Sequence, residues 1–150
     1  MKISYIANSS CPSELPSSLQ IVKTCEYLSK HGNKVHLIIP NTAVIKLSVE
    51  EFYDIQFKFD IVRLLKFKKF PLGINYYLFS FLAFLKARKI SEIIITRNYF
   101  VVFLCSLFKT KCVIELHGDI SNESRVVRLI FSIFKILSSK SVSKVICISK

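Results

Sequence analysis

The sequence predicts a doubly wound α/β domain built on a mostly parallel sheet. Two observations carry this. Continuous apolar runs at 92–96, 112–116 and 145–148 have the character of parallel strands buried on both faces. Between the strand-like runs stand longer segments with helical spacing, so the order is a repeated strand–helix–strand. A length of 150 residues suits one domain with a substantial core. With 51% hydrophobic and 21% charged residues, the chain lies outside the disordered class, which needs low hydrophobicity.

The elements follow in order. Ile3 to Ala7 reads as a short strand that runs into a polar loop. Ser17 or Ser18 is the expected cap of a helix reaching about Ser29, with Leu19, Val22 and Leu28 as its apolar positions. Gly32 is a good helix stop. Val35 to Ile39 is a second strand, ended by Pro40, which completes a unit of the length expected for a right-handed crossover. A short helix is expected within Leu47 to Ile55. Phe57, Phe59 and Ile61 alternate with Lys58 and Asp60, the pattern of a half-exposed strand. Asn75 to Ala87 is helical and almost wholly apolar. Glu92 to Thr96 is a strand rich in β-branched residues. Tyr99 to Phe108 is an apolar helix and Cys112 to Leu116 a further strand. Ser121 or Asn122 opens a helix to about Ser139, on which Arg125, Arg128, Ser132, Lys135 and Ser139 form one polar stripe. Val145 to Ile148 is the last strand. Lys150 follows it without a covering helix, so the chain reads as a piece of a larger architecture.

Five cysteines stand singly at 11, 25, 105, 112 and 147. Their spacing gives neither a zinc motif nor a secreted disulfide framework, and the compartment expected is reducing cytosol. Cys112 and Cys147 lie in apolar runs and are expected to be buried small hydrophobes. The longest uncharged stretch, Leu72 to Leu85, has 14 residues. Spanning a bilayer takes about 20, so this stretch reads as a buried or membrane-surface helix. The opening run is too short for a signal peptide.

The 22 Lys and Arg against 10 Asp and Glu give a formal charge of +12. That excess points to an anionic partner: nucleic acid, an acidic membrane surface or a phosphorylated substrate. The charge is spread over several elements and no nucleic-acid recognition motif accompanies it, which disfavours nucleic acid. Lys66, Lys68 and Lys69, with Lys86, Arg88 and Lys89, lie beside aromatics. They form a basic set suited to anionic lipid, with a solvated surface as the plainer reading.

In open parallel sheets, ligands bind outside the carboxyl ends of the strands. Three polar segments meet that rule: Asn8 to Glu14, Thr96-Arg97-Asn98, and His117-Gly118-Asp119. His117 is suited to proton exchange near neutral pH or to hydrogen-bonding a hydroxyl or phosphate, unless it is simply a satisfied histidine at a strand end. Asp119 is placed to orient His117 or to cap the next helix. Arg97 suits a phosphate, a carboxylate or a surface salt bridge. The chain has only Gly32, Gly73 and Gly118, so the usual dinucleotide fingerprint and P-loop are excluded.

These segments, in this order, resemble the N-terminal, acceptor-side domain of retaining glycosyltransferases of the GT-B class, family 4. The likeness is carried by Asn8-Ser9-Ser10-Cys11-Pro12-Ser13-Glu14 followed by Ser18, Gln20, Ile21 and Val22. It continues through Cys25-Glu26, Leu28, His31-Gly32, Val35 and Leu37-Ile38-Ile39-Pro40. Ile95-Thr96-Arg97-Asn98, Glu115-Leu116-His117-Gly118-Asp119 and Val145 to Lys150 extend it along the chain. The Gly-Gly loop that many members carry after the first strand is missing here.

The resemblance implies a Rossmann-like half of a two-domain enzyme, with residues 1–150 as that half. The nucleotide-sugar-binding domain and its paired glutamates are absent from this sequence and would come from further chain or a separate partner. The reaction implied is transfer of a sugar from a nucleotide sugar to a glycan or lipid-linked acceptor in bacterial surface polysaccharide synthesis. It retains configuration and needs no metal or other cofactor. His117 would support the transferred sugar or acceptor, with Asp119 orienting it. Ser13, Glu14, Arg97, Asn98 and Gly118 would contact substrate. The location implied is cytoplasmic, peripheral on the inner membrane face. The competing expectations are a non-catalytic partner subunit, an inactive fragment and a basic nucleic-acid-binding domain.

Overall fold

The computed structural model describes residues 1–41, 47–65, 72–116, 128, 132, 136 and 139–147. Its strands are β1 (Lys2–Ile6), β2 (Lys34–Pro40), β3 (Asp60–Leu64), β4 (Ile93–Thr96), β5 (Cys112–Leu116) and β6 (Val142–Cys147). The helices are α1 (Pro16–Lys30), α2 (Val49–Tyr53), α3 (Leu72–Ile90) and α4 (Tyr99–Leu107). The strands form one sheet in the order β3-β2-β1-β4-β5-β6, and every neighbouring pair is parallel. This is a Rossmann-like arrangement. The order reverses between β1 and β4, where Ile6 lies opposite Thr96.

Side chains of a strand alternate between the faces of its sheet, so each central strand feeds two cores. On one face Tyr5, Val35, Leu37 and Ile39 pack with Ile21, Val22 and Cys25 of α1 and with Val49 and Tyr53 of α2. On the other, Ile6, Ile38, Ile94 and Ile114 pack against Phe79, Ala83, Phe84 and Ala87 of α3 and Val101, Val102 and Cys105 of α4. This explains the mostly apolar runs, since β2 after Lys34 and the whole of β5 are buried.

Local chemistry sets the element ends. Helix α1 begins at Pro16, whose fixed φ suits the first helical position, while neither Ser17 nor Ser18 caps it. Ser18 is instead buried, and its hydroxyl donates to the Ser10 carbonyl at 3.0 Å. The buried stripe of α1 is Ser18, Ile21, Val22 and Cys25, with Leu19 left exposed. After α1, Gly32 takes a left-handed φ of 76°, as its place behind a helix predicts. Ser48 caps α2 in a reciprocal box with Glu51, each side chain accepting from the other's backbone N–H.

Four further expectations are corrected. The alternation at 57–61 does not begin a strand, because β3 starts only at Asp60. Phe57 is instead held in a loop with Lys30 over its ring at 5.5 Å. Cys147 is exposed, because β6 is the edge strand. For the same reason the last apolar run is not buried on both faces, and Val145 and Ile146 meet solvent. Helix α3 exceeds its expected span at both ends. It buries Phe79, Ala83, Phe84 and Ala87 and exposes Ile74, Tyr77 and Phe81. Among the described residues no helix is long and apolar enough to cross a membrane. The helix expected from residue 121 or 122 to 139 lies largely outside the described residues.

Candidate functional site at the switch point of the sheet

Where β1 and β4 end side by side, the chain leaves them toward different helices and a cleft of about 160 Å³ opens. It is bordered by Asn8 and Ser9 after β1, by Arg97 and Asn98 after β4, by Tyr76 of α3 and by Ile21 of α1.

Arg97 is aimed by a buried carboxylate. Its Nε donates to Glu115 Oε2 at 2.8 Å, and the Tyr5 hydroxyl donates to the same oxygen at 2.7 Å. Tyr5 is fully buried and Glu115 nearly so. Tyr5 is on β1, Arg97 follows β4 and Glu115 is on β5, so the order of neighbouring strands brings the three groups together. Burial pushes the Tyr5 phenol far above its ordinary value, and the Glu115 charge and hydrogen bond push it further. Tyr5 therefore stays neutral and remains a donor. Arg97 Nη2 is buried and has no hydrogen-bond partner among the described residues. An arginine fixed through Nε beside a cleft is suited to an anionic or oxygen-rich ligand.

Asn98 holds the opposite wall together. Its Oδ1 caps α4, accepting from the Phe100 and Val101 backbone N–H groups at 3.0 and 3.2 Å, and also accepts from the Tyr76 hydroxyl at 2.8 Å. Its Nδ2 donates to Ser80 Oγ at 2.6 Å, and Ser80 in turn donates to the Tyr76 carbonyl. Thr96 Oγ1 accepts from the Asn98 backbone N–H and donates to the Ile6 carbonyl, both at 3.0 Å. The side-chain oxygen of Asn98 thus joins α3 to α4, while its backbone N–H ties it through Thr96 Oγ1 to the end of β1.

The loop after β1 is held with equal care. The Tyr53 hydroxyl donates to the Ser13 carbonyl at 2.6 Å and accepts from the Ser13 N–H at 2.9 Å. Ser13 Oγ bonds Ser18 Oγ at 2.9 Å, and Arg63 Nη1 donates to the Cys11 carbonyl at 2.8 Å. The polar atoms of Ser13 are engaged by Tyr53 of α2 and Ser18 of α1, whereas Glu14 is exposed. A larger groove of about 360 Å³ lies between α1 and the turn before β3. Its charged groups hold that turn, since Glu26 Oε1 accepts from the Gln56 N–H at 2.6 Å and Lys23 bonds both Glu26 and the Asp54 carbonyl.

Of the residues expected at the site, Arg97 and Asn98 border the cleft, and Ser13 and Glu14 belong to the loop that leads from it to α1. His117, Gly118 and Asp119 lie outside the described residues, as do Lys66, Lys68 and Lys69. Lys86, Arg88 and Lys89 sit at the far end of α3, on the opposite edge of the sheet. Sequence reading did not single out Glu115 or Tyr5 as site residues. The available signal was a carboxylate inside the otherwise apolar run Cys112-Val113-Ile114-Glu115-Leu116, since Glu is rarely buried unless paired.

Sheet order and cleft together define a Rossmann-like α/β domain with a cleft at the switch point of its sheet. No protein-family model matches the chain, and no curated protein matches it.

Proposed function

We propose that this domain is the acceptor-side half of a retaining glycosyltransferase of the GT-B class, family 4. In this reading it moves a sugar from a nucleotide sugar to a glycan or lipid-linked acceptor in bacterial surface polysaccharide synthesis. The observation that carries the reading is convergence. Asn8-Ser9 and Arg97-Asn98, from two of the segments that give the resemblance, border one cleft where open parallel sheets bind ligands.

In this reading Arg97 contacts acceptor hydroxyls or a phosphate, and Glu115 positions it. His117 supports the transferred sugar, with Asp119 orienting it. Glu14 and Gly118 complete the acceptor surface. A second domain or partner chain binds the nucleotide sugar, and the protein works at the inner face of a membrane.

The test is sugar transfer by the polypeptide as its source cell produces it, using a panel of nucleotide sugars with lipid and glycan fractions from that cell. Arg97→Ala is expected to lower turnover about 100-fold, the usual cost of losing an oriented donor. His117→Ala is expected to act in the same direction. The reading is overturned if the folded protein transfers no sugar from any donor, or if both variants turn over like the parent.

A further inference from the structure

In an all-parallel sheet the connections divide into two sets, and the cleft uses only the carboxyl one. At the amino edge, Lys86, Arg88 and Lys89 close α3, while Lys109 and Lys111 flank the turn from α4 to β5. All five are exposed. Lys2 and Lys34, opposite one another in register and also exposed, extend the row across the starts of β1 and β2. Among the described residues none of these cations has an ion-pair partner. The acids nearby are few. Glu92 accepts from the Lys2 backbone N–H at 3.4 Å, and Asp60 is bonded to His36 at 3.2 Å.

Two apolar side chains emerge among these cations. Leu107 is 56% and Phe108 40% exposed at the end of α4, and Arg88 lies over the Phe108 ring at 5.3 Å. Cations at helix carboxyl ends complement the helix dipole, which accounts for Arg88 and Lys89. It does not account for Lys2, Lys34 and Lys111, which stand at or before strand starts, nor for an exposed leucine and phenylalanine in their midst.

We propose that the amino edge of the sheet docks on an anionic lipid bilayer, with the lysines toward the headgroups and Leu107 and Phe108 entering the interface. Basic side chains around a small apolar wedge suit a bilayer surface, which attracts the cations and accepts the wedge. A nucleic-acid backbone would use the cations alone. Docking here requires nothing of the cleft, so loss of vesicle binding and loss of sugar transfer are separate outcomes.

The experiment is sedimentation of the protein with phosphatidylcholine vesicles and with vesicles that also contain phosphatidylglycerol, over a range of salt. Binding is expected to the anionic vesicles alone and to weaken with salt. Each cation is worth about fivefold, so the triple variant K86Q/K89Q/K111Q should bind roughly 100-fold more weakly. Leu107→Ser should weaken binding while leaving its salt dependence unchanged. Matching thermal melts establish that the variants fold. Equal binding to both vesicle types overturns the proposal, as does a triple variant that binds like the parent. Preference for duplex DNA over anionic vesicles, lost in the same triple variant, assigns the edge to nucleic acid instead.

Discussion

At the carboxyl edge of the sheet Arg97, Asn98, Thr96 and Ser13 each have defined partners, several of them buried. At the amino edge Lys86, Lys89, Lys109 and Lys111 stand in solvent with no ion pair among the described residues. The same strands supply both edges, so the contrast comes from what the connecting segments carry. One edge fixes polar groups at low exposure, where a hydrogen bond is strong and a missing one is costly. The other leaves like charges hydrated, where they contribute little to folding and act at a distance. Arrangement at the carboxyl edge is therefore part of the fold's stability, whereas the amino edge is free to vary in charge without endangering it.

Substitutions test that division. The largest effect is expected from Glu115→Ala, which leaves Arg97 without its buried carboxylate and Tyr5 without its acceptor. Breaking a buried pair from one side costs about 3–5 kcal/mol, to be read from urea denaturation. Asn98→Ala comes next. It removes the α4 cap and leaves Ser80 and the Tyr76 hydroxyl without that partner, for an expected loss of about 2 kcal/mol. A loss within 0.5 kcal/mol, roughly the level of an ordinary surface change, would erase the contrast between the edges.

The smallest of the three is Tyr5→Phe, expected to cost about 1 kcal/mol near neutral pH. It also carries a pH signature. The folded Tyr5 pKa lies above the unfolded value of 10.0, so folded and unfolded chains are both neutral at Tyr5 below that pH. Above it the unfolded chain loses the proton while the folded chain keeps it, and stability falls as pH rises. Urea midpoints followed from about pH 9 to about pH 11 should fall less steeply in the variant. An identical slope in both proteins would mean that Tyr5 ionises as readily folded as unfolded.

Much of the fold could be read from residue patterns, and the failures have physical causes. Cys112 to Leu116 was legible to the residue because all five side chains are buried, and Glu115 alone breaks the apolar run. The alternation at 57–61 misled because Phe57 stands in a loop with the Lys30 ammonium over its ring, an arrangement that mimics period two in sequence. Cys147 looked buried because an edge strand has the same composition as a central one, and only sheet order distinguishes them. The start of α1 was displaced because Pro16 opens the helix without any side-chain cap, freeing Ser18 to hold the preceding loop.

The site was legible in its place and less so in its chemistry. The rule that polar residues follow apolar strands named Arg97 and Asn98, and both border the cleft. Asn98 shared the same address, yet its oxygen caps α4 and accepts from Tyr76, and that partner is remote in sequence. Glu115 and Tyr5 were harder still, because their meeting depends on the β1-β4-β5 order, which no local pattern encodes.

The parallel sheet also acts as a spacer. Strands β1 and β5 have five residues each, and at about 3.3 Å per residue they separate the cationic edge from the cleft by roughly 17 Å before any loop is counted. A domain standing on a bilayer by its amino edge would hold the cleft at that height, opening away from the lipid. Molecules tethered to the same bilayer would then be sorted by reach. Short headgroups would fall below the opening, and only a polar chain long enough to climb the depth of the sheet would present its end to Arg97.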